Sequence, residues 1–261
     1  MNILTLFTLC ILSSVQLTNE QQVAVLQEAQ LAYDTGVSLQ TADPVAAKES
    51  FRRSAERFQI LVADGIENGL LLYDLGNAHV QEGQIGEAIA AYRAADRYIP
   101  SNGRLQANLV HARSLVNNPV KNTSKKSTLE QLAFWHDSLP ASVRLGISIV
   151  CWFAFWGLLS VRMFTHIPGF KTATIFLGLF SAALGVSIGV DLVEQQTSHG
   201  VIVFDEAIVR KGNGVNYAPL FNEAISEGVE FEIIEKRPDW LHILLPNGSK
   251  GWVKEESAQV I

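Results

Sequence analysis

The side chains that could attack a substrate or hold a metal are few in this 261-residue sequence. Its two cysteines, Cys10 and Cys151, both lie inside apolar runs. The polar segments therefore offer no disulfide framework and no cysteine–histidine metal spacing. Six histidines are scattered singly. Hydrolysis would need a nucleophile, a base beside it and a group that orients the base. The polar segments carry neither a Gly-x-Ser-x-Gly elbow nor a His-x-x-Glu-His arrangement. "KGNG" at 211–214 lacks the lysine-to-helix context of a phosphate-cradling loop. The expected chemistry is recognition rather than catalysis, with no cofactor and no metal. A net charge of −6 argues against nucleic acid, which is bound through a basic face. It argues equally against a polybasic grip on anionic lipid.

Positioning falls to elements of four kinds. The start, "MNILTLFTLCILSSVQLTNEQQ", places a short apolar run before small and polar residues. That is the pattern of a secretory signal, so 1–18 is expected to be a signal peptide or an N-terminal anchor. Either would export the polar segment that begins at about residue 20.

Residues 72–100, "LYDLGNAHVQEGQIGEAIAAYRAADRYIP", read as a helical hairpin. Leu72, Leu75, Gly76 and His79, then Ala88, Tyr92, Ala95 and Pro100, recur at spacings of three, four or five, mostly those of one helical face. Gly76 and Ala88 are small where two helices must approach, Tyr92 supplies bulk, and Pro100 stops the second helix. This order of large, small and turn residues resembles the tetratricopeptide repeat, with His79 standing where an aromatic is usual. A lone repeat cannot bury both faces. Upstream, "AAKESFRRSAERF" aligns at an offset of 41, placing Ala47 on Ala88, Phe51 on Tyr92 and Ser54 on Ala95. Residues 22–40 would supply its first helix, with Gly36 at the crossing. Downstream, Leu105, Leu109, Ala112 and Leu115 would cap the stack. Residues 20–117 are thus expected to form a helical repeat domain. The resemblance implies protein binding on a concave face formed by the first helices, with Leu70, Tyr73, Asn77 and Val80 pointing there. The Asn77 amide could fix an extended peptide backbone. Tyr73 stands where carboxylate-clamping repeats carry lysine, so carboxylate capture is not expected.

A linker occupies 118–142, with a short interfacial helix suggested by Leu129, Leu132 and Phe134–Trp135. Residues 145–161 and 172–190 are free of charge, and each is close to the length of a bilayer core. Two transmembrane helices are expected, at 143–164 and 171–190. The connector holds Arg162 and Lys171, whereas 191–209 has acids and no Lys or Arg. The positive-inside bias places the connector in the cytoplasm, and both polar domains on the far side. Ser181, Gly185 and Gly189 form a small-residue stripe, expected to pack against the first span or, failing that, a second copy.

Residues 201–261 switch to strand character in "GVIVF", "AIVR", "VEFEII", "WLHILL" and "KGWVK". Asn247-Gly248 between apolar runs is a hairpin signal. Five short strands in so few residues bury a core by curling into a small barrel. Val209-Arg210, Gly212, Tyr217, Asp239-Trp240 and Gly251-Trp252-Val253 resemble a bacterial SH3 domain along nearly its full length. The resemblance implies peptidoglycan or peptide binding on an aromatic surface, for which Tyr217, Trp240 and Trp252 are the candidates.

The fold class expected is multidomain: an all-α repeat stack, a two-helix membrane hairpin and a small all-β SH3-like barrel. The order of modules is similar to the BatE family of Bat aerotolerance operons. That resemblance implies partners among membrane proteins with von Willebrand factor A domains, acting with a MoxR-type ATPase. The expected role is a non-enzymatic adaptor at the inner membrane with its polar modules in the periplasm. The alternative is a cell-wall sensor or anchor that grips peptidoglycan through the barrel.

Overall fold

A computed structural model describes residues 16–120, 139, 141–164, 170–194 and 198–261. Residues 1–15 of the signal-like start and the expected interfacial helix lie outside the described residues. Seven α-helices and a five-stranded sheet make up the described part.

Helices α1 (Asn19–Leu39), α2 (Pro44–Ala63), α3 (Gly69–Glu82), α4 (Ile85–Tyr98) and α5 (Gly103–Ser114) pack in chain order, each against the next. Local chemistry fixes where they begin. Thr18 and Gln21 form a reciprocal capping box on α1. Asp43 caps Ala46 N–H and Pro44 opens α2, a position where the missing proline N–H costs nothing. The Asn68 and Asn102 side chains, 34 positions apart, each accept from two backbone N–H groups that open α3 and α5. Gly83, at φ +90°, closes α3 in the left-handed region that suits glycine.

Packing between paired helices uses one device twice. A Cβ on Gly36 would sit 2.8 Å from the Phe51 ring, and a Cβ on Gly76 only 2.5 Å from the Tyr92 ring. The close approach is thus of an aromatic ring onto a helix backbone. Phe51 and Tyr92 are both essentially unexposed, matching their alignment in the sequence. The Ser54 hydroxyl donates to the Ala29 carbonyl at 2.9 Å, so a buried polar group is satisfied where its counterpart Ala95 needs nothing. Leu105, Leu109 and Ala112 are buried on the capping face of α5, but Leu115 is the C-cap residue and 41% exposed. It does not extend the face as its spacing suggested.

Helices α6 (Ala141–Phe164) and α7 (Phe170–Glu194) pack against each other. Their segments Ser142–Phe164 and Lys171–Val190 are long and apolar enough to cross a membrane. Trp152, Phe153 and Trp156 on α6, and Phe176 and Leu179 on α7, are exposed. The small-residue stripe does not form the contact face expected of it. A Cβ on Gly185 or Gly189 would meet nothing within 4 Å, whereas one on Gly178 would meet the Phe155 ring at 3.0 Å. Among the described side chains of α7 the buried ones are Thr174, Ser181, Leu184 and Ser187, so of the predicted stripe Ser181 is the member that lies on the contact face.

The C-terminal part is an antiparallel sheet of β1 (His199–Ile202), β2 (Glu230–Arg237), β3 (Trp240–Leu244), β4 (Lys250–Lys254) and β5 (Ala258–Val260), in the order β4-β3-β2-β1-β5. Its core comprises Ile202, Val209, Phe231, Leu241, Ile243, Leu245 and Val253. "AIVR" is not a strand. Ala207 bridges Ile225 and Arg210 bridges both Pro219 and Trp252, so its backbone bonds go to three separate segments. The fifth strand is instead β5, beyond the last run assigned from sequence.

Candidate binding surfaces

The four residues expected on the concave face of the helical stack have different fates. Leu70 is 56% exposed. Tyr73 and Val80 are partly buried against the α3–α4–α5 core. Asn77 is already engaged: its side-chain oxygen accepts from the Tyr92 hydroxyl at 2.8 Å and from Asn108 Nδ2 at 2.8 Å. Asn108 also donates to the Tyr73 hydroxyl at 3.1 Å. The acceptor expected to hold a peptide backbone is therefore spent on ordering α3, α4 and α5.

Beside this network a groove of about 280 Å³ opens between α1 and α3. Gln30, Tyr33 and Asp34 line it from α1, Phe58 from α2, and Asp74 and Asn77 from α3. Burial holds the Asp74 carboxyl above its ordinary range, against the hydrogen bond from Asn77 that favours its ionised form. Burial also pushes up the Tyr33 hydroxyl, helped by the charges of Asp74 and Asp34. Sequence reasoning missed Tyr33, Asp34, Asp74 and Asn108. A signal for the first three was present: "AYDTG" at 32–36 and "LYDLG" at 72–76 repeat a Tyr-Asp-x-Gly core at an offset of 40.

On the sheet, Tyr217 is 53% exposed, with its ring against the Gly212 backbone. Trp240 and Trp252 are buried, at 9% and 8% exposure. Trp252 faces His242 across the β3–β4 ladder, rings stacked at 4.7 Å, and Arg237 lies 5.0 Å from its ring centre. The structure thus leaves Tyr217 as the exposed member of the trio expected to form one aromatic surface.

The sheet also docks on the helical stack. Glu230 on β2 is held by Arg93 at 3.1 Å and by Arg113 in a two-pronged contact at 2.7 and 2.8 Å. Glu227 accepts from the Gly86 N–H at the start of α4, where a carboxylate suits the helix terminus. Gly86 lies against the Ile202 carbonyl and Gly228 against Val116 and Ile89, both with no room for a Cβ. Val201 of β1 is fully buried in the helical core cluster. A double-mutant cycle with Arg113→Ala and Glu230→Ala, read by thermal melting of the detergent-solubilised chain, is expected to give a coupling of about 1 kcal/mol. Strictly additive losses would mean the pair contributes nothing.

Within α7, Gly185-Val186-Ser187-Ile188-Gly189 has the spacing of a nucleophile elbow. It lies in a continuous helix rather than the strand-to-helix turn an elbow requires, and Arg144 Nη1 donates to the Ser187 hydroxyl. No protein-family model matches the chain, and no characterised protein resembles it significantly in sequence.

Proposed function

We propose that this chain is a non-enzymatic, two-pass membrane adaptor. Its helices 19–114 act as a tetratricopeptide-type stack and residues 199–260 as an SH3-like module. Both face the periplasm, and the helical stack holds partner proteins of a Bat-type complex while the SH3-like module holds a second ligand. Von Willebrand factor A-domain membrane proteins and a MoxR-type ATPase are the partners this reading names. The observation that carries it is the Arg93–Arg113–Glu230 contact. The contact joins two polar modules whose connection runs through two helices of membrane-spanning length. Such a contact needs both modules on one side of the bilayer, which an even number of crossings supplies.

Two measurements test this. Reporter fusions at the N-terminal and C-terminal ends should report the same compartment. Crosslinking in intact membranes should capture partner proteins with the whole chain and lose them when residues 20–117 are removed. Ends on opposite faces, or capture unchanged by the deletion, would overturn the adaptor. Pelleting of the full chain with isolated sacculi, without protein capture, would favour the cell-wall anchor.

A further inference from the structure

Resting on the reading of the helical stack as a peptide-binding module, we infer that the α1–α3 groove receives the arginine or lysine side chain of an extended partner segment. At about 280 Å³ the groove lies just under the range typical of whole small-molecule ligands, which is roughly 300–1,000 Å³. A single long side chain suits it better. Its lining selects the chemistry of that side chain. Asp34 and Asp74 bring two carboxylates from equivalent positions of the Tyr-Asp-x-Gly repeats, and no lysine or arginine lines the groove.

Two of the other acids on the helices that line the groove are matched by cations: Glu28 by Arg57 at 2.8 Å, and Glu49 by Arg52 at 2.6 Å. Among the described residues neither Asp34 nor Asp74 forms an ion pair. An anionic guest would meet two like charges. An apolar guest would cover the half-buried Asp74 and leave its carboxylate without water or a counterion. A guanidinium or ammonium group resolves both conflicts. Phe58 is buried beneath the groove, and the partly buried Tyr33 ring adds surface that attracts cations. Asn77 takes no direct part. Its oxygen is occupied by Tyr92 and Asn108, and its amide favours the ionised form of Asp74.

The test probes an array of immobilised nine-residue peptides with the full chain in detergent micelles. Retention should concentrate on peptides with Arg or Lys at one central position. It should fall roughly tenfold in Asp74→Asn and in Asp34→Asn, with a steep loss on adding salt. Asp74→Lys should move the preference toward acidic peptides. Thermal melting of each variant shows whether the stack is intact. Because Asp74 is half-buried without an ion pair, and its burial disfavours the charged form, Asp74→Asn should melt no lower than the natural chain. Peptide retention without charge preference, or retention unchanged in the folded asparagine variants, would overturn the inference while leaving the adaptor standing. Failure to retain any peptide would count against both.

Discussion

Tyr92→Ala is expected to disorder the second half of the helical stack. The side chain is 1% exposed, its ring covers the Gly76 backbone and its hydroxyl donates to Asn77. Truncating a large buried aromatic costs about 3–5 kcal/mol, against a total of roughly 5–15 kcal/mol for an ordinary domain. The lost hydroxyl also leaves Asn77 with Asn108 as its remaining donor. Tyr92→Phe keeps the ring and should cost only about 1 kcal/mol. The pair with Gly76 allows a sharper check. In the natural chain Gly76→Ala places a Cβ 2.5 Å from the ring, so it should destabilise despite the roughly 1 kcal/mol by which alanine favours a helix over glycine. In the Tyr92→Ala background the ring is gone, and the same change should stabilise. Thermal melting of the four detergent-solubilised chains, followed by far-ultraviolet circular dichroism, measures this reversal of sign. Gly76→Ala with the same effect in both backgrounds would show that the ring does not rest on this backbone.

What could be read from the sequence was the information carried by neighbours three or four residues apart. The stack announces itself through apolar and small residues recurring on helix faces, with Phe51 and Tyr92 above Gly36 and Gly76. Four of its five helices carry side-chain caps, at Thr18, Asp43, Asn68 and Asn102, that the periodicity reading passed over. The two apolar helices are legible from length and absence of charge. Long-range pairing was hidden. Arg113 and Glu230 lie 117 positions apart, and Gly86 and Glu227 are separated by 141, so no periodicity connects them. "AIVR" has strand composition, yet composition does not say whether one continuous partner is available, and here three fragments take its hydrogen bonds. Strand β5 is three residues long, too short to carry a pattern. Tryptophan gives no signal separating core from contact surface, because large area serves both. The groove was obscured for another reason. Asn77 stood out through the resemblance to a repeat's concave face, but its side-chain oxygen is already used by Tyr92 of α4 and Asn108 of α5.

Acidification from about pH 6.5 toward pH 4 is expected to weaken the stack through His79. The imidazole is buried on α3 and its Nδ1 has no hydrogen-bond partner. Glu82 Oε2 is 3.5 Å away, too far for a good hydrogen bond. Burial lowers the His79 pKa to about 4 from its ordinary 6.5. In that window the unfolded chain takes up a proton that the folded chain refuses, so stability falls as pH falls. The full difference is on the order of 3 kcal/mol, reached below pH 4. Burial raises the Glu82 carboxyl. That group works in the opposite direction, because the folded state accepts its proton first, and it offsets part of the loss. His79→Phe isolates the histidine, since all other titrations are common to both chains. At pH 7 the variant should be more stable by about 1 kcal/mol, the unpartnered nitrogen having been removed. Its advantage should widen steadily down to pH 4. Melting temperatures of the two chains measured across this range decide the matter: parallel curves would mean that His79 gains its proton in the folded stack as readily as in the unfolded chain.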